Sequence, residues 1–325
     1  MFDVLPRVDT KYFNCWKSLI ISYLKSQSAP VELLFFNSFE RTSEIYSQII
    51  LNRKPRWDYV SASCSNEHLK LLNTKLTHYP YNCFQEARET IINRLLSGKP
   101  IFITCDMFYL PHKSNHYHQN YVRHLILVGG CLPTESGYTY QIWDDNASGI
   151  GDYSLYEYDE KVLELAFNHS EKLISQVEQE NFGDQTTSQF KQQFIQWIIS
   201  YEDDYYLYDF AASQLANHSS NSQNPIFEQL ISAFTIVSGS RAVFLKFLRY
   251  ISQFSTIQAL LAESTLQSEL LANALLKFRI TNRIDIKRFQ EKCLLVKSLD
   301  MEVIQELKKS LYFLEKKGSL DDAVT

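Results

Sequence analysis

Three strand-like runs between Gly98 and Asp145 constrain this chain more than any other stretch. Pro100 to Cys105 is a short apolar run that follows a helix stop, Gly98 then Pro100. His124 to Val128 is a second run, closed by Gly129-Gly130, and Tyr138 to Asp144 alternates as a half-buried strand does. A loop of roughly ten residues joins the second run to the third, so the two can pair as antiparallel neighbours. Two polar residues stand where apolar ones would be cheaper to bury. His124 opens the second run and Asp144 closes the third. Antiparallel pairing can bring the imidazole beside the carboxylate, which fixes its tautomer and stabilises its protonated form. Such a pair calls for a nucleophile, and Cys15 is the candidate.

The case for Cys15 is local. Trp16, Leu19, Ile20, Tyr23 and Leu24 share one helical stripe, and Asn14 can cap that helix. Cys15 then lies in the first turn, where unpaired backbone amides and the helix dipole favour a thiolate. The plainer alternative is that Cys15 is a small buried hydrophobe. Between Asp106 and His124 the chain is dense in polar and aromatic side chains, Asp106, Tyr109, His112, His116, Tyr117 and His118. Their spacing fits no compact metal motif. They read instead as a substrate-binding loop beside the nucleophile, with a solvated loop as the plainer alternative.

The rest of the chain is read in order. An extended lead-in holds Pro6 and Asp9. Residues 31–39 are a short strand or a buried helix start, and 57–63 are read as a strand. Helices are expected over 66–76, 83–96, 158–179, 187–199 and 206–216. A polar linker, 217–224, precedes a long helix opened by Pro225. Three further helices are expected over 257–278, 285–298 and 302–316, followed by a polar tail. These patterns divide the chain into an α+β part, residues 1–155, and an all-helical part, residues 156–325.

Charge separates the two parts as well. Residues 1–150 carry 15 basic and 13 acidic side chains, a balance of +2, and the remainder carries 17 against 24, a balance of −7. The net charge of −5 gives no electrostatic case for nucleic acid or for an anionic membrane. No apolar run is expected to reach the length of about 18 residues that spans a bilayer. The first residues lack the basic-then-apolar order of a signal peptide. Six cysteines without CxxC spacing, in a chain of 325 residues, suggest a reducing compartment. The expected location is cytoplasmic.

The run Gly98-Lys-Pro-Ile-Phe-Ile-Thr-Cys-Asp-Met-Phe-Tyr-Leu-Pro111, then His124-Leu-Ile-Leu-Val-Gly-Gly130, then Tyr-Gln-Ile-Trp-Asp144 resembles the N-terminal domain of the butirosin biosynthesis protein H family. The resemblance covers roughly residues 10–160. It implies a papain-like cysteine-protease fold with an antiparallel sheet, an N-terminal nucleophile helix and a helical C-terminal region. It implies Cys15 as nucleophile, His124 as base and Asp144 as orienting carboxylate; Asn14, Asp106, Tyr109 and His112 are the residues expected to bind substrate beside them. The implied partners are an acyl or peptidyl carrier protein, which brings its own phosphopantetheine, and a small-molecule amine acceptor. The setting would be nonribosomal peptide or related natural-product biosynthesis, with no metal. One departure concerns the oxyanion donor, since Asp9 stands where papain-type enzymes carry a glutamine six residues before the cysteine. The hole would then rest on the Cys15 amide and another donor, with Asn14 the candidate.

The triad by itself leaves several activities open. Amine attack on an acyl-cysteine makes a transferase, water attack a thioesterase, and a peptide substrate a peptidase. Exclusion of water by the helical part and by the 106–120 loop would decide between the first two. A non-catalytic biosynthetic partner is the remaining alternative.

Overall fold

The structure, a computed structural model, describes residues 4–9, 11–135, 137–146, 149, 151–179, 186–218, 221–252 and 254–316. The chain forms two compact units, and neither is continuous in sequence. One comprises Met1–Val31 and Ser65–Gly183, the other Glu32–Cys64 and Asp184–Thr325. The boundary expected at 155 falls inside a strand of the first unit.

The first unit is α+β. Its elements are α1 (Cys15–Ser26), α2 (Asn66–Leu71), β1 (Thr74–Pro80), α3 (Phe84–Leu96), β2 (Ile101–Asp106), β3 (Arg123–Thr134), β4 (Gly137–Asp145), β5 (Tyr153–Asp159), α4 (Glu160–Asn168) and β6 (Leu173–Gln179). The strands form one six-stranded sheet in the order β1-β6-β2-β3-β4-β5, antiparallel throughout. β2 is buried along its whole length, as its unbroken apolar run requires. Ile101 and Ile103 face Phe84, Ile91 and Phe167, so α3 and α4 cover one side of the sheet. α1 packs against β3, and Tyr23 meets Phe102 edge-on at 5.5 Å. Gly98, at φ +73°, stops α3 where an L side chain would be strained.

Several expected elements differ. Residues 57–63 form no strand: a short helical turn over Arg56–Asp58 gives way to irregular chain. The helix expected over 66–76 ends at Leu71, because Asn73 turns left-handed at φ +48° and the chain continues as β1. The helix expected over 158–179 is three elements, the end of β5, α4 and β6. Residues 31–35, left open between strand and helix, form a tight helical turn.

The second unit is helical: α5 (Thr186–Ser200), α6 (Tyr206–His218), α7 (Pro225–Tyr250), α8 (Ser255–Thr281) and α9 (Ile286–Lys316), with short turns from residues 32–64. Asn224 caps α7 by accepting from the Ile226 amide at 3.1 Å, and Pro225 fills its first position. α7 departs from the expectation that no stretch suits a bilayer, since its length and composition would span one. Its residues are instead the core of the unit, and Arg241 in its middle is fully buried. Arg241 Nη2 lies 2.7 Å from Asp300 Oδ2, and Nη1 donates to the Glu40 carbonyl at 2.7 Å. The Tyr208 and Ser264 hydroxyls donate to Asp300 at 2.6 Å each. Asp300 lies inside α9, which runs unbroken where two helices were expected. The expected polar tail lies outside the described residues.

Candidate active site

Cys15 is the first residue of α1. Asn14 Oδ1 accepts from the Lys17 amide at 3.0 Å and its carbonyl from the Ser18 amide at 3.0 Å, as the cap reading expects. Asp9 holds the approach to this helix. Its carboxylate accepts from the amides of Lys11, Tyr12 and Phe13 at 3.2, 2.9 and 2.7 Å. The Ser18 hydroxyl donates to its carbonyl at 3.3 Å. Asp9 therefore fixes the turn before the nucleophile and presents no amide donor to an oxyanion.

The sheet supplies the other two groups. Leu127 pairs with Trp143 across β3 and β4, so His124 and Asp144, displaced by odd numbers of residues from that pair, share the opposite face. His124 Nε2 lies 2.6 Å from Asp144 Oδ1. Asp145 is turned elsewhere and accepts from the Gly151 amide at 2.7 Å. Both His124 and Asp144 are 1% exposed, whereas Cys15 as a residue is only partly buried. With Nε2 engaged by Asp144, Nδ1 is the nitrogen left for Cys15. It is buried and makes no full hydrogen bond among the described residues.

The electrostatics follow from this packing. Burial pushes the Cys15 thiol up, but its contact with the His124 imidazole more than reverses that, and the net shift is downward. Burial pushes His124 down, and Asp144 overrides it, lifting the imidazole to about 9. Asp144 is buried too, yet His124, His112 and Lys113 hold it well below the usual carboxylate range. Cys105, Cys131 and Cys293 are all shifted the other way, chiefly by burial. A thiolate–imidazolium pair at Cys15 and His124 is the state these shifts favour.

The loop residues expected to bind substrate have other neighbours. Asp106 is buried, and one of its oxygens accepts from the amides of Phe108 at 2.9 Å and Val122 at 3.0 Å, pinning both ends of the β2–β3 loop. Tyr109 stacks on His169 at 4.7 Å between centroids. His118 and Tyr121 stack on Phe108 at 5.2 and 4.4 Å. His112 is turned inward, its side chain 5% exposed and its Nε2 2.7 Å from Asp144 Oδ2. Lys113, Tyr156 and Tyr158 also join this cluster. Tyr156 and Tyr158 alternate with polar residues, a strand signal concealed by the helical reading of 158–179. His124, Asp144 and Asp145 offer ligand atoms within 4.8 Å of one another, the geometry of a cation site. Asp144, however, already accepts from two imidazoles, the Lys113 ammonium and the Asp145 amide, so a metal would have to displace Lys113.

No family model matches the chain. A curated relative does, along most of both proteins. It is the ribostamycin:4-(gamma-L-glutamylamino)-(S)-2-hydroxybutanoyl-[BtrI acyl-carrier protein] 4-(gamma-L-glutamylamino)-(S)-2-hydroxybutanoate transferase of Niallia circulans, 29% identical over 289 residues, or 86% of this chain and 90% of the relative. The resemblance to the butirosin biosynthesis protein H family holds. It extends beyond the roughly 150 residues that first carried it, into the helical unit.

Proposed function

We propose that this protein is a cysteine-dependent acyltransferase that moves an acyl group from a carrier-protein thioester onto an amine. The observation that carries this reading is a thiol at a helix start, its pKa lowered by a buried imidazole that a carboxylate holds at 2.6 Å. The relative named above acts on an acyl-carrier-protein substrate, which supports the choice of donor. The arrangement of α1 against an antiparallel sheet bearing His124 and Asp144 supports a papain-like reading of the first unit.

The Cys15 thiolate attacks the thioester carbonyl, and the carbon–sulfur bond to the pantetheine arm breaks. His124 passes its proton to the departing thiol. Once Cys15 is acylated, the anion beside His124 is gone and the neutral imidazole can act as base. It takes a proton from the incoming amine as the amine nitrogen attacks the acyl carbon, and the Cys15 thiolate leaves. An amide is formed and the starting ion pair is restored. Asp144 orients the imidazole in both halves and stays ionised.

Intact-mass measurement after incubation with a panel of carrier-protein acyl thioesters tests this directly. The expected result is an acyl adduct on Cys15, absent from Cys15→Ala, that an added amine discharges as amide. A Cys15→Ala variant that still turns over the thioester would overturn the reading. At about millimolar amine, amide outcompetes free acid in roughly 55 M water only when the acceptor is bound and oriented, so the product ratio separates transfer from hydrolysis.

A further inference from the structure

We propose that His112 is a positioning residue for the Cys15–His124 pair, brought by the β2–β3 loop to the far oxygen of Asp144, and that Lys113 beside it completes a clamp on that carboxylate. The proposal rests on Cys15 and His124 being the reacting pair. Asp144 Oδ1 accepts from His124 Nε2 at 2.6 Å, from the Asp145 amide at 2.7 Å, and meets Lys113 Nζ at 3.1 Å. All three contacts fall on one oxygen. Oδ2 is held by His112 Nε2 at 2.7 Å. A carboxylate bonded through one oxygen can still turn about its Cβ–Cγ bond. A donor on the second oxygen fixes the plane, and with it the line along which His124 points.

His112 is itself immobilised. Its ring stacks on Tyr156 at 4.0 Å, its Nδ1 lies 2.8 Å from the Tyr158 hydroxyl, and its backbone amide donates to that hydroxyl at 3.2 Å. Facing a carboxylate, Nε2 must carry the proton. The Tyr158 hydroxyl accepts from the His112 amide and donates its own hydrogen to Nδ1, which selects that tautomer. Burial first, then Tyr156 and Asp144, push the Tyr158 phenol up to about 12, so it remains a donor. Lys113, 10% exposed, also donates to the Asp145 carbonyl at 3.0 Å. In the state with Cys15 as thiolate and His124 as imidazolium, the Lys113 ammonium balances the Asp144 carboxylate. The neighbouring Asp145 and Cys105 are both pushed toward their neutral forms, chiefly by burial.

Three variants test the clamp. His112→Phe keeps a ring for Tyr156 but has no donor, His112→Gln keeps a donor, and Tyr158→Phe removes the tautomer selection. The readouts are kcat and KM with a carrier-protein thioester and amine, and the pH midpoint of iodoacetamide alkylation at Cys15. For His112→Phe the expected loss in kcat is on the order of 10- to 100-fold, the scale on which partners that orient a reacting group act. KM should stay within about twofold, and the alkylation midpoint should move up because the imidazolium is less well held against the thiolate. His112→Gln should recover much of the kcat, and Tyr158→Phe should show a smaller loss of the same kind. A raised KM with an unchanged midpoint would make His112 a substrate-binding residue and overturn the proposal. Equal losses in His112→Phe and His112→Gln would also overturn it. If His112→Phe does not fold, Tyr158→Phe alone decides, since an unchanged midpoint and kcat there would contradict the clamp. The alkylation readout does not depend on the transfer reaction. A shifted midpoint together with an active Cys15→Ala would therefore sink the acyltransferase reading, and with it the catalytic half of the proposal, while showing that His112 still orders the Cys15–His124 contact.

Discussion

At Cys15 burial and a neighbouring imidazole pull the thiol in opposite directions, and the imidazole wins. The consequence is measurable selectivity. Iodoacetamide should label Cys15 at pH values below the ordinary thiol range of about 8.5, where Cys105, Cys131 and Cys293 remain protonated thiols. Peptide mapping after timed labelling at pH 6.5 checks this, and equal labelling of Cys15 and Cys131 would contradict it. The acylation step should have an upper limb as well. His124 is protonated below about 9, so kcat/KM for the thioester should fall as pH rises through that value and the departing thiol loses its proton donor. Asp144→Asn should slow turnover by about 10³- to 10⁴-fold while slowing alkylation far less, because the carboxylate acts through the orientation of the imidazole. Cys15, His124 and Asp144 were each legible in the sequence, because a polar residue in an apolar strand and a cysteine behind a cap are local signals. His112 was picked out only as a substrate-binding residue, and Lys113 was given no role. Their place under Asp144 depends on how a sixteen-residue loop, 107–122, folds back, and no periodicity encodes that.

Among the elements, α1 shows how one residue can hold two roles. Asn14 caps the helix and is also a candidate oxyanion donor through its side-chain amide. Serine caps about as well as asparagine and has no amide, so Asn14→Ser should leave stability within a few tenths of a kcal/mol. If the Asn14 amide donates to the oxyanion, acylation should fall by roughly 10²-fold. Asn14→Ala should lose about 1 kcal/mol in denaturant unfolding on account of the cap alone. The stretch 153–179 explains why strand and helix were confused. Val162, Leu163, Ala166, Leu173, Ile174 and Val177 keep a helix-like rhythm across the break between α4 and β6, and neither glycine nor proline marks it. The chain reverses after α4 at Lys172, which takes φ +54° without being glycine. The reading divided α9 between Ser298 and Glu302, on either side of Asp300. Its charge is in fact the buried partner of Arg241, which a single sequence does not reveal.

For the whole molecule, the helical unit depends on that same pair. Asp300→Ala leaves a guanidinium buried with no counter-charge and should cost about 3–5 kcal/mol in thermal or denaturant unfolding. Arg241→Met with Asp300→Leu should recover part of the loss. It should not recover all of it, because Tyr208 and Ser264 also lose their acceptor. In the other unit, β6 lies between β1 and β2, so a fragment ending at residue 155 cuts β5 and leaves a gap inside the sheet. Circular dichroism of that fragment should show no cooperative transition. The division of the chain also sets an order of events on the ribosome. Glu32–Cys64 emerges early, but the remainder of its unit begins only at Asp184. At a synthesis rate of about 5–20 residues per second, that segment waits on the order of ten seconds or more, with Leu33, Phe35 and Phe39 exposed, before the rest of its unit is made. Nascent chains halted near residue 180 should therefore recruit holding chaperones through residues 32–64, a need the finished protein, with those side chains buried, no longer has.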